Sequence, residues 1–114
     1  MKHIGLIKGR HEMPVEEYIF ESVENVFDFD AIRRHIEEYV VSNCDIKVVN
    51  GCPVNGFGDT DIYKGDNLCV YITGLTCVSI ALVEVCAKCG VNLTLMHFDM
   101  QSGEYKPQTI NWGV

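Results

Sequence analysis

Between Leu68 and Phe98 the chain runs through an order of patterns that few folds accommodate. Leu68-Cys69-Val70-Tyr71-Ile72 is continuously apolar, as a strand buried on both faces is, and such strands belong to parallel sheets. Thr73-Gly74-Leu75-Thr76 then turns the chain into an apolar helix over 75–89, and Gly90 supplies its stop. Leu93-Thr94-Leu95-Met96-His97-Phe98 is the next strand. Strand, helix and strand of this length make a βαβ unit, whose crossover is right-handed.

The flanking segments extend that unit. His3–Lys8 reads as a strand, and Gly9-Arg10-His11-Glu12 as the loop after it. Pro14 suits the first turn of a helix over 14–23, with Glu16 and Glu17 near its positive end, although Tyr18-Ile19-Phe20 also favours a strand. Asp30 is the expected N-cap of a helix over 30–42, with Ile32, Ile36, Tyr39 and Val40 as its buried stripe. Arg33–Glu37 and Arg34–Glu38 are spaced to pair on its outer side, and His35 at the stripe's edge reads as a hydrogen-bonded core histidine. Ile46-Lys47-Val48-Val49 is a short strand, and 50–67, rich in glycine, reads as a long irregular loop. Gln101-Ser102-Gly103 is a turn that returns 104–110 as an antiparallel edge strand, where Pro107 is tolerated. The expected fold is a single three-layer α/β domain over 1–114, with a mainly parallel sheet and a C-terminal antiparallel hairpin.

Composition narrows the function classes. With 9 Lys and Arg against 16 Asp and Glu among 114 residues, the formal charge is −7, so non-specific nucleic-acid binding is not expected. The acids cluster: 12–30 carries seven carboxylates and no base, which suits a solvated face or a partner-binding surface. No apolar run is long enough to span a membrane, because Thr76, Ser79 and Glu84 break the longest one. The N-terminus lacks a signal-peptide pattern, and Cys69, Cys77 and Cys86 sit in apolar runs as free thiols do. A cytoplasmic location is therefore expected.

Four constellations are candidates for chemistry. The turn Thr73-Gly74-Leu75-Thr76 combines two hydroxyls, a glycine and a helix N-terminus, which suits a phosphate or carboxylate. Ligands in open α/β sheets lie beyond the carboxyl ends of the strands, so Gly9, Arg10 and His11 are expected at the same edge. The expected ligand-binding set is thus Gly9, Arg10, His11, Thr73, Gly74 and Thr76, for a small anionic or nucleotide-like ligand. His97, at a strand end with Asp99 nearby, is with His11 a candidate acid–base group for nucleotide cleavage. Cys86-Ala87-Lys88-Cys89 lies at a helix C-terminus, where the dipole opposes a thiolate, and no second pair completes a zinc site. Asp59-Thr60-Asp61 resembles a calcium loop only at its start, since the sixth position is Lys64 and the twelfth is Val70. No metal site and no cofactor are expected.

A strand followed by Gly9-Arg10-His11, then Gly65-Asp66, an apolar strand, Thr73-Gly74-Leu75-Thr76 and an apolar helix resembles small CRISPR-accessory proteins. The resemblance implies a Rossmann-like, dimeric domain of a type that in some members binds or degrades cyclic oligoadenylates across the dimer interface. A homodimer is expected on separate grounds. Past Thr76 the 75–89 helix leaves only Ser79, Glu84 and Lys88 to face water, and a helix apolar nearly all round is covered on more than one side. A second copy, the 50–67 loop or the 14–23 segment would supply that cover. The competing function class is an interaction adaptor using the acidic 12–30 segment.

Overall fold

A computed structural model describes residues 2–9, 12–49, 52–54 and 66–110, with 47–49 and 52–54 described by backbone alone. The elements run β1 (Lys2–Ile7), β2 (Tyr18–Phe20), α1 (Phe29–Asn43), β3 (Lys47–Val49), β4 (Cys52–Val54), β5 (Asn67–Tyr71), α2 (Thr76–Cys89), β6 (Asn92–Asp99) and β7 (Glu104–Thr109). The main sheet has the order β2-β1-β5-β6-β7. Its first four strands are parallel, and β7 closes it antiparallel to β6. The α/β class, the mainly parallel sheet and the closing hairpin follow the sequence pattern.

The 14–23 helix does not form. Tyr18–Phe20 is a parallel edge strand that pairs with Gly5 and Ile7 of β1. Ile19 and Phe20 point to opposite faces of this strand and both are buried, so the edge is covered on its two sides. The third layer is accordingly not a helix. The crossovers from β2 to β5, through α1, and from β5 to β6, through α2, go the same way along the sheet, so their right-handedness puts α1 and α2 on one face, where they pack together. On the other face Met13 and the Tyr18 ring lie against Gly5, where an added Cβ would overlap the ring. Tyr105 Oη reaches the carbonyl of Glu12 at 3.5 Å and meets the Tyr71 ring edge-on at 4.8 Å.

Two other expectations shift. The N-cap of α1 is Asp28, whose Oδ1 accepts from Ala31 N at 3.2 Å, while Asp30 lies in the first turn. Arg33 pairs with Asp30 at 2.8 Å and Glu84 at 3.7 Å, leaving Glu37 to bind Lys88 at 3.1 Å, because α1 faces α2 on that side. His35 makes the expected hydrogen bond, its Nε2 donating to the Ile19 carbonyl at 2.6 Å with its ring stacked on Phe20, but it lies at the exposed edge of α1 and not in the core. Within 50–67, Cys52–Val54 pairs with β3 in a separate antiparallel hairpin, and 55–65 lies outside the described residues.

The core forms where α1 and α2 cover the sheet, around Ile4, Leu6, Val70, Leu93, Ile36, Val40 and Leu82. Helix α2 buries Val78, Ala81, Leu82, Val85, Cys86 and Cys89 between the sheet and α1, and Cys77 Sγ donates to the Val26 carbonyl at 3.2 Å. Much of the cover that its apolar sequence requires thus comes from α1 and the segment leading into it. Gly90 ends α2 in the left-handed conformation, φ 72°, with its N–H turned back to the helix.

Candidate functional site

The strand order creates a switch point. The chain leaves β1 toward β2 on one side and leaves β5 toward β6 on the other. Adjacent strands whose connections diverge leave a crevice at their carboxyl ends. Gly9, with φ 88°, follows β1 at this edge, and Ile72-Thr73-Gly74 follows β5. Arg10 and His11, expected to contribute a cation and an imidazole, lie outside the described residues, as do Asp59, Asp61 and Gly65 of the calcium-like segment.

The turn after β5 carries two polar deficits. Helix α2 begins with Leu75 at its N-cap position, which has no side-chain oxygen to accept a first-turn N–H. Beside it Thr73 is 9% exposed, and its buried hydroxyl has no hydrogen-bond partner. Buried hydroxyls are normally satisfied, so an orphan at a helix start marks a place where a ligand group or water would be bound. Neither deficit follows from the sequence pattern, which allows Thr73 or Thr76 to cap the helix.

Two adjoining cavities open at this turn. One, of about 530 Å³, is lined by Ile72, Thr73, Gly74, His97, Phe98 and Met100. The other, of about 470 Å³, shares Ile72, Thr73, Gly74 and His97 and extends along α2 past Thr76, Ser79, Ile80, Val83 and Glu84. Thr73, Gly74, Thr76 and His97, drawn from two separate sequence constellations, therefore line one cleft. Its walls are chiefly apolar, with hydroxyls at the turn, an imidazole opposite, and the Glu84 carboxylate balanced by Arg33.

His97 is not partnered by Asp99. Its Nε2 lies 2.7 Å from Oε1 of Gln108 on the neighbouring strand, an acceptor that the β6–β7 register supplies. Asp99 instead folds the hairpin turn, accepting from Gln101 N at 3.0 Å and the Ser102 hydroxyl at 3.0 Å. Those bonds hold its carboxyl below the usual carboxylate range. Gln108 was not evident in the sequence because a cross-strand partner is known only once the register is.

Cys44, Cys69, Cys77, Cys86 and Cys89 are free, and burial pushes the Cys86 and Cys89 thiols up, away from a reactive thiolate. Among the described residues no group of three or more His, Cys, Asp or Glu is placed to hold a metal ion, and no helix is long and apolar enough to cross a membrane. The chain matches no protein-family model, no curated protein and no solved structure.

Proposed function

We propose that this protein binds a small ligand with an anionic group and an apolar or planar body, of the nucleotide type, in the cleft at the carboxyl edge of its sheet. The observation that carries the reading is the unpartnered, buried Thr73 hydroxyl beside a helix start without a side-chain cap. A phosphate or carboxylate oxygen at the turn would accept from both the hydroxyl and the first-turn N–H groups of α2. Ile72, Ile80, Val83 and Met100 offer apolar surface to the rest of the ligand, and His97 stands opposite. The unpaired state of the five described thiols accords with a reducing, cytoplasmic setting.

The test is a thermal-shift titration with nucleoside phosphates, cyclic oligoadenylates, dicarboxylates and inorganic phosphate. A true ligand at a hundredfold excess over its Kd stabilises the native state by about 2.7 kcal/mol. Thr73→Val should abolish that response while the variant stays folded. Unchanged melting with every anion tested would overturn the proposal.

A further inference from the structure

We propose that the same end of the molecule carries a docking surface for a basic, amphipathic segment of another protein. Six large apolar side chains stand out as exposed among the described residues, and all but Val41 gather at the carboxyl end of the sheet. Phe27 and Phe29, 76% and 52% exposed, flank the start of α1 and meet edge to face. The two helices run in register, with Val26 beside Cys77, Arg33 beside Glu84 and Glu37 beside Lys88. One turn back from Arg33 and Glu84, Phe29 and Ile80 hold the corresponding positions, and Ile80 is 54% exposed. From Ile80 the two cavities lead across Ile72–Gly74 to Met100, which is 87% exposed. Exposed apolar side chains gathered at one end of a molecule mark an interaction site, whereas scattered ones do not.

Its charge selects the occupant. Glu24, Asp28, Asp30, Glu84 and Asp99 stand in the segments that carry these side chains, and among the described cations there Arg33 is held by Asp30 and Glu84, Lys8 by Glu21 and Lys106 by Glu104. A second copy of this chain would bring a like-charged rim and a further −7 against it. A basic helix with one apolar face meets both requirements, its apolar residues on Phe27, Phe29 and Ile80 and its cations on the rim.

The test uses fluorescence anisotropy with a labelled Leu/Lys amphipathic peptide and its Leu/Glu counterpart. The Leu/Lys peptide should bind, more weakly as salt rises, and the Leu/Glu peptide should not. Phe27→Ser/Phe29→Ser should weaken binding about tenfold or more, with Val41→Ser unchanged. Met100→Ser gives an independent reading should the double variant melt below the parent. Equal binding of the two peptides, or equal loss in Val41→Ser, would overturn the proposal. So would a dimer in sedimentation equilibrium that dissociates in Phe27→Ser/Phe29→Ser, since the surface would then belong to a second copy. The small-ligand reading is judged separately by Thr73→Val, and Phe27→Ser/Phe29→Ser and Val41→Ser leave the lining of both cavities intact, whereas Met100 lines one of them.

Discussion

His97 Nε2 and Gln108 Oε1 lie 2.7 Å apart across the β6–β7 ladder. An amide oxygen only accepts, so Nε2 carries the proton and Nδ1 is the ring's remaining polar position. The neutral ring should therefore show the Nε2–H tautomer in ¹⁵N-detected NMR. Gln108→Leu should bring it toward a mixture of tautomers and weaken any ligand that bonds Nδ1. A pure Nδ1–H tautomer in the parent protein would contradict this arrangement.

Thr73→Val separates stability from binding. The substitution keeps the side-chain shape and removes a buried hydroxyl without a partner, which should raise the stability of the ligand-free protein by about 1 kcal/mol. Urea unfolding measures it. A loss of stability would show that the hydroxyl already has a partner in solution.

Gly5→Ala sets two effects against each other. Replacing a strand glycine by alanine normally gains about 0.5–1 kcal/mol. Here the new methyl would overlap the Tyr18 ring and crowd Met13, and overpacking of that kind costs about 1–3 kcal/mol. The variant should unfold at lower urea, and adding Tyr18→Ala should relieve part of the crowding. A Gly5→Ala protein more stable than the parent would mean that the ring moves aside freely.

Asp28 and Asp30 differ in role although both stand at the start of α1. Asp28→Ala removes the cap on Ala31 N and should cost about 0.5–2 kcal/mol. Asp30→Ala removes an exposed ion pair with Arg33 and should cost a few tenths of a kcal/mol. The reverse order in chemical denaturation would place the cap at Asp30.

Alkaline pH should destabilise the fold through its thiols. Burial, aided by the Asp66 carboxylate, raises Cys44 from 9.0 to about 11, and burial raises Cys69, Cys86 and Cys89 as well. The unfolded chain loses these protons first, so their contribution is complete below about pH 9 and is lost as pH rises through the folded values. Unfolding free energy should fall between about pH 9 and pH 11, and less steeply in Cys44→Ala. Equal slopes in the two proteins would remove Cys44 from the effect.

Elements whose signals lie within a few residues were legible in the sequence. The apolar run 68–72, the α2 pattern with Gly90, the stripe Ile32–Ile36–Val40 and the 101–103 turn specify their structures locally, through period, cap and backbone conformation. They determine the α/β class, the parallel core and the closing hairpin, and Thr73–Thr76 at a strand end marks the edge where the cleft lies. Tertiary structure decided what depends on distant neighbours. Tyr18–Phe20 is a strand because the edge of β1 supplies its hydrogen bonds and burial, a gain that helical signals at Pro14, Glu16 and Glu17 do not match. Helix α2 is covered largely from within because right-handed crossovers set α1 beside it. Gln108 became the partner of His97 through register, and Thr73 was left unpartnered because Leu75, not a threonine, fell at the N-cap position. Local patterns are set by each residue's own backbone and nearest neighbours, whereas a site is made by side chains that meet only after the sheet has ordered its strands.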